Sequence, residues 1–221
     1  ELNSVSSRVM ELGGLVESQI RNAIYALSNF STEVADQVIA TEDSVDTMEV
    51  EIDHELSSII ARRQPTARDL RLLIAISKAT ANLERVGDEA EKVARMVKSI
   101  IQSGAARSLP SSELRMSAEK ASGMLRKALD SFARLDVQAA VSVLKEDDFI
   151  DREFDGFVRK LVTYMIEDPR TISACLDLLF LAKAIERIGD HAKNIAELII
   201  YIVKGTDVRH TTIEQIESAV K

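Results

Sequence analysis

The stretches ERVGDEAEKVAR (residues 84–95) and ERIGDHAKNIAE (residues 186–197) agree at six of twelve positions, with two further Val/Ile exchanges. Average composition predicts roughly one chance agreement over that length, so the chain contains an internal repeat. The offset is 102 residues and persists outside the motif: Pro65 and Pro169 stand 104 apart, Gly104 and Gly205 101 apart. Two similar halves follow.

Each half reads as helical. Leu114, Ala118, Ala121, Leu125, Ala128 and Phe132 step by four and three, the spacing of one apolar helix face. Val5, Val9, Leu12 and Val16 keep the same rhythm, as do Leu83, Val86, Ala90, Val93 and Val97. The longest such seam is Ala182, Ile185, Ile188, Ala192, Ile195, Ile199 and Ile202. Cap or breaker chemistry interrupts the pattern at Asn29-Phe30-Ser31, Gln64-Pro65-Thr66, Gly104 to Ser112, Leu135-Asp136 and Asp168-Pro169. Asp168 is a start signal, because its carboxylate accepts from orphan N–H groups and Pro169 has none to lose. Thr66-x-x-Asp69 reads as a weaker capping box. Helices of about 25 to 37 residues, roughly 40 to 55 Å long, joined by short turns give antiparallel neighbours.

The expected fold is therefore all-α, two tandem three-helix bundles related by the repeat. Residues 1–104 form the first bundle, 105–112 a linker, 113–205 the second bundle and 206–221 a polar C-terminal tail. Leu198-Ile199-Ile200-Tyr201-Ile202-Val203 is apolar beyond one helix face, which predicts extra burial, in the bundle or at a homodimer contact.

Composition narrows the function. Only 8 Gly and 3 Pro in 221 residues, with 9 aromatics and no Trp, exclude an all-β chain. The net charge of −8 has the wrong sign for nucleic-acid backbones or anionic lipid and suits cations or basic protein surfaces. Cys175 stands alone, so no intrachain disulfide forms and a reducing, cytoplasmic compartment is expected. No apolar run reaches the ~20 residues that span a bilayer, and no signal peptide is read before the first helix.

Inside each repeated segment lies a Glu-x-x-x-Asp pair, Glu84 with Asp88 and Glu186 with Asp190, four apart and so on one helix face. The preceding helix of each half adds a pair, Glu42 with Asp46 and Asp147 with Asp151. Antiparallel packing brings the two pairs of a half toward one spot, where four carboxylates repel unless protonated, hydrated or occupied by cations such as Mg, Ca, Mn or iron. Gly87 and Gly189 sit within the pairs; a helical Gly costs about 1 kcal/mol relative to Ala, so a close approach to the backbone is expected there, by a metal and its water or by a packed helix. The competing reading is that the acids form surface ion pairs with Arg85, Arg187 and other helix cations, worth at most about 1 kcal/mol each. His54 and His191 are read as exposed or capped rather than as ligands. A ferritin-like di-iron enzyme needs Glu-x-x-His on two helices, and only Glu51-x-x-His54 has that spacing. A metal store would demand far more metal per chain than these carboxylates can hold. No nucleophile beside a base and no phosphate loop is apparent, so no enzymatic activity is expected.

At RRQPTARDLRLL from Arg62, LERVGDEAEKVAR from Leu83, TYMIEDPRTI from Thr163 and IERIGDHAKNIAE from Ile185, the chain resembles the PhoU family of bacterial phosphate-signalling regulators, and does so over nearly its whole length. The resemblance implies a cytoplasmic, often dimeric, non-enzymatic adaptor that represses the phosphate regulon when phosphate is plentiful. It implies two partners: the ATPase subunit of the phosphate ABC transporter and a PhoR-type sensor histidine kinase. Contact with the membrane would come only through these partners. It also implies bound iron, zinc, Mg or Mn and no organic cofactor. By motif match the metal role falls on Glu42, Asp46, Glu84, Asp88, Asp147, Asp151, Glu186 and Asp190. Asp147 is one methylene shorter than Glu42, which predicts a difference in geometry between the halves.

Overall fold

The computed structural model describes residues 2–104 and 110–220. Helices α1 (Leu2–Asn29), α2 (Thr32–Arg63) and α3 (Ala67–Gln102) form the first bundle. Helices α4 (Ser112–Arg134), α5 (Val137–Glu167) and α6 (Ile172–Lys204) form the second, and α7 (Ile213–Val220) follows. Every residue of the four apolar seams named above is buried, so the three-and-four spacing marks the faces that meet inside each bundle. Most of the linker expected at 105–112 lies outside the described residues.

The helix ends follow local chemistry. Ser31 caps α2 by accepting from the Val34 N–H, and Asp136 caps α5 by accepting from the Ala139 N–H at 3.0 Å. Gln64 and Leu135 turn left-handed to stop α2 and α4, and Gly205 does the same after α6 with φ 73°. Of two expectations at helix starts, the one at Thr66 is corrected and the one at Asp168 is met. Thr66 makes no side-chain cap, because left-handed Ala67 turns the chain so that the Thr66 carbonyl accepts from the Asp69 N–H. Asp168 accepts from the Arg170 N–H and caps a single 3-10 turn at Pro169–Thr171, with α6 beginning only at Ile172.

The polar tail is also corrected. Val208, Ile216 and Val220 are buried, and α7 packs on α5. Thr212 and Gln215 bond each other's backbone N–H groups, a capping box that starts α7. Lys204 donates to the Val220 carbonyl, and Lys145 pairs with Glu217.

The two bundles are joined along α3 and α6, the most extensively packed pair of described helices. They run antiparallel. The Lys78 ammonium lies over the Tyr201 ring, Asn82 Oδ1 meets His191 Nδ1 at 2.9 Å, Arg187 pairs with Glu89 at 3.3 Å, and Ser99 donates to Asp177 at 2.7 Å. Leu198 lines a groove with Lys78, Ala81 and Asn82 of α3; Leu198, Ile199, Ile200 and Ile202 are buried, Tyr201 is half-buried and Val203 is exposed. The extra burial expected of Leu198 to Val203 is thus met within the chain for four of its six residues. A second contact joins α1 to α4, where a Cβ on Gly13 would meet Leu129 at 2.8 Å, so the missing side chain sets the approach of the two helices.

Candidate metal centre

In the first bundle Gln19 of α1 and Glu42 of α2 are both buried against Gly87 of α3. The Gln19 amide donates to Glu42 Oε2 and to the Val38 carbonyl. A Cβ on Gly87 would stand 3.1 Å from Gln19 Oε1 and 3.1 and 3.2 Å from the two Glu42 oxygens. Gly87 is therefore the floor on which a carboxylate and an amide rest. Gln19 Oε1 and Glu42 Oε1 are buried without a hydrogen-bond partner. Two adjacent orphan acceptors call for a proton or a cation between them.

Burial pushes the Glu42 carboxyl up to about 7; the Gln19 hydrogen bond opposes this, and the charges of Asp88, Asp46 and Glu91 add to it. Glu84 is raised by burial and then by Asp88, and Glu49 by burial and then by Asp53 and Asp46. Arg85 lies 3.4 Å from both Glu84 and Asp88, so the ion-pair reading holds for part of this cluster.

In the second bundle Asp147 and Asp151 of α5 and Asp190 of α6 bring three carboxylate oxygens within 4.8 Å of one another, the one such convergence among the described residues. Glu186, the fourth expected member, pairs with Lys183 at 2.7 Å. Burial raises Asp190 to about 6, with Glu186, Asp147 and Asp151 adding and Lys193 opposing. Asp147 is almost fully buried; its Oδ2 accepts from the Lys193 ammonium at 2.6 Å while its Oδ1 has no partner. Gly189 serves packing more than chelation, since a Cβ there would meet the Ile150 methyl at 3.1 Å and Asp147 only at 3.9 Å.

All four expected pairs therefore sit at the junction of the second and third helices of their bundles, but the halves differ. The orphaned oxygens and all-oxygen donor set fit a hard cation in both. Sequence reasoning missed Gln19, Glu91 and Lys193. Each left a trace: Gln19 is an amide on the apolar seam of α1, three past Val16, and Glu91 and Lys193 are the mismatched eighth residues of the two repeats. His191 matches its expected capped role, held neutral near 4 by burial and then by Arg187 and Arg85. Arg187 reaches across to Glu89 rather than to its own acidic pair.

The PhoU domain family matches residues 9–97 and again residues 114–199. The chain belongs to the PhoU family. A relative from Burkholderia sp, named phosphate-specific transport system accessory protein PhoU homolog, is 50% identical over 217 residues, covering 98% of this chain and 92% of that protein. The Escherichia coli (strain K12) protein of the same name without "homolog" is 46% identical over 210 residues, 95% of this chain and 86% of that one. The crystal structure of PhoU from Pseudomonas aeruginosa has a TM-score of 0.90 at 46% identity, covering 93% of this chain and 98% of that one. A PhoU structure from Streptococcus pneumoniae, 24% identical, shares the fold at TM-score 0.86 over 94% of this chain and 97% of that one. The two PhoU domain matches fall on α1–α3 and α4–α6. Among the described residues no helix is long and apolar enough to cross a membrane.

The raised carboxyls make stability depend on pH. Glu42 and Glu197, the latter also pushed up to about 7 by burial, bind protons more tightly folded than at the ordinary 4.5. Their contribution is full below about 4.5 and is lost as pH rises through about 7. His191 acts in the opposite sense, but only below its ordinary 6.5. Between pH 6.5 and 8, chelator-treated protein should therefore lose about 3 to 6 °C of melting temperature. A flat or rising profile in circular dichroism would contradict this.

Proposed function

We propose that this chain is a non-enzymatic, cytoplasmic accessory regulator of a phosphate-specific transport system. It acts as a homodimer, couples the transporter's ATPase subunit to a PhoR-type sensor kinase, and represses the phosphate regulon when phosphate is plentiful. The observation that carries the reading is the match of both PhoU domains together with a 50% identical relative, named a transport accessory protein, across 98% of the chain. The acidic surface, net charge −8, suits docking on basic faces of those partners. The ferritin-like alternative is not favoured, since the named relatives are transport accessory proteins.

Metal ions on the acidic pairs belong to the same reading. Glu42, Asp46, Glu84 and Asp88 would hold one set, and Asp147, Asp151, Glu186 and Asp190 the other. Bound metal would supply positive charge between the second and third helices of each bundle, relieving carboxylate repulsion there. The orphaned oxygens of Glu42 and Asp147 support this.

The test pairs binding with signalling. Purified chain should retain the transporter ATPase or the kinase's cytoplasmic region in at least one metal or phosphate state. In a bacterium deleted for its own PhoU protein, expression of the chain should silence a phosphate-starvation reporter in phosphate-rich medium. Retention of neither partner, with a reporter that stays on, would reject the adaptor role.

A further inference from the structure

We propose that the two bundles take up cations unequally: the α1–α3 cluster is the metal-dependent half, with Gln19 as a neutral further ligand, whereas the α4–α6 cluster carries its own cation, the Lys193 ammonium. This rests on the metal reading above and concerns which half is filled first.

The repeat isolates the difference. Glu84 and Asp88 align with Glu186 and Asp190, yet three residues further on Glu91 stands where the second half has Lys193. Lys193 Nζ lies 2.6 Å from Asp147 Oδ2, and the Asp147 side chain is only 4% exposed. A metal on the free Asp147 Oδ1 would sit beside the ammonium charge, and one on Oδ2 would displace a charge-assisted hydrogen bond to a buried carboxylate. In the first half the group bonded to the equivalent carboxylate, Glu42, is the uncharged amide of Gln19. Gln19 is 1% exposed, and its carbonyl oxygen is buried without a partner beside the equally unpartnered Glu42 Oε1. Amide carbonyls and carboxylates together are the donors that hard divalent cations take.

The closer gathering of Asp147, Asp151 and Asp190 follows from the same fact. Carboxylates repel one another and draw together only around positive charge, and Lys193 supplies it. In the first half Arg85 lies on the outer pair, Glu84 and Asp88, while Glu42 has only the neutral Gln19 amide, and no three acids of that half converge as closely among the described residues.

Mn²⁺ titration of chelator-treated full chain, by calorimetry and by the electron paramagnetic resonance of free Mn²⁺, tests this. Wild type should show a tight class abolished by Asp46→Asn plus Asp88→Asn and a class about tenfold or more weaker abolished by Asp151→Asn plus Asp190→Asn. Lys193→Met should strengthen the weak class about tenfold and leave the tight one alone, while Lys193→Arg keeps it weak. Gln19→Leu, which keeps volume on an apolar seam, should weaken only the tight class, and Glu91→Lys should abolish it. Equal filling of both halves in wild type, or insensitivity of the weak class to Lys193→Met, would overturn the inference while leaving metal binding intact. Absence of Mn²⁺ binding in every variant would instead remove the metal reading, and the inference with it.

Discussion

Gly87→Val should destabilise the chain by about 2 to 4 kcal/mol and lower the melting temperature by about 5 to 15 °C. A Cβ at Gly87 would already press on both Glu42 oxygens and on Gln19 Oε1 at 3.1 to 3.2 Å. Neither neighbour can yield easily, because Gln19 is tied to Glu42 and to the Val38 carbonyl and both side chains are buried. Two γ-methyls would then drive the carboxylate off the α3 backbone. Gly156→Ala is the control, since nothing lies within 4 Å of a Cβ there, and Ala should stabilise by up to about 1 kcal/mol through helix propensity. Thermal melts of the two variants, with and without Mn²⁺, separate the effects. A Gly87→Val protein as stable as Gly156→Ala would mean that the contact at α3 is not tight.

Ile199→Ala should cost about 2 to 4 kcal/mol, because Ile199 is fully buried on the α6 seam and truncation leaves a cavity. The more telling outcome is the shape of the transition. Helix α6 packs on α4 and α5 of its own bundle and on α3 of the other, so loosening it should lower one cooperative transition rather than split it in two. Circular dichroism and calorimetry should coincide on that single transition. An α1–α3 half that melts at the wild-type temperature while the other half melts earlier would show that the α3–α6 contact is weaker than its extent implies.

Local chemistry explains what the sequence made readable. Seams such as Val5-Val9-Leu12-Val16 and caps such as Asp136 depend on residues within a few positions of each other, and both are seen in the structure. The failures also have local causes. The capping box expected at Thr66 is undone by the left-handed turn at Ala67, while a true box, Thr212 with Gln215, begins a helix too short for its periodicity to stand out.

The candidate site was readable only as residue types. The four acidic pairs and the two glycines were found from spacing, but their environments come from groups far along the chain. Gln19 and Glu42 are 23 residues apart, and Lys193 and Asp147 are 46 apart. No spacing rule on one helix reports which cation or amide another helix will deliver. The apolar excess from Leu198 to Val203 was visible, whereas its cover, α3, emerged only from the antiparallel crossing.

That crossing pairs a helix with its own repeat. A chain holding a single bundle would have to find this surface on another molecule, and the assembly would dissolve on dilution. Joined in one polypeptide, the same encounter becomes intramolecular, at an effective concentration set by the connection rather than by the amount of protein made. The pairing therefore holds at any expression level, and duplication leaves each copy free to change alone, as the exchange of Glu91 for Lys193 records.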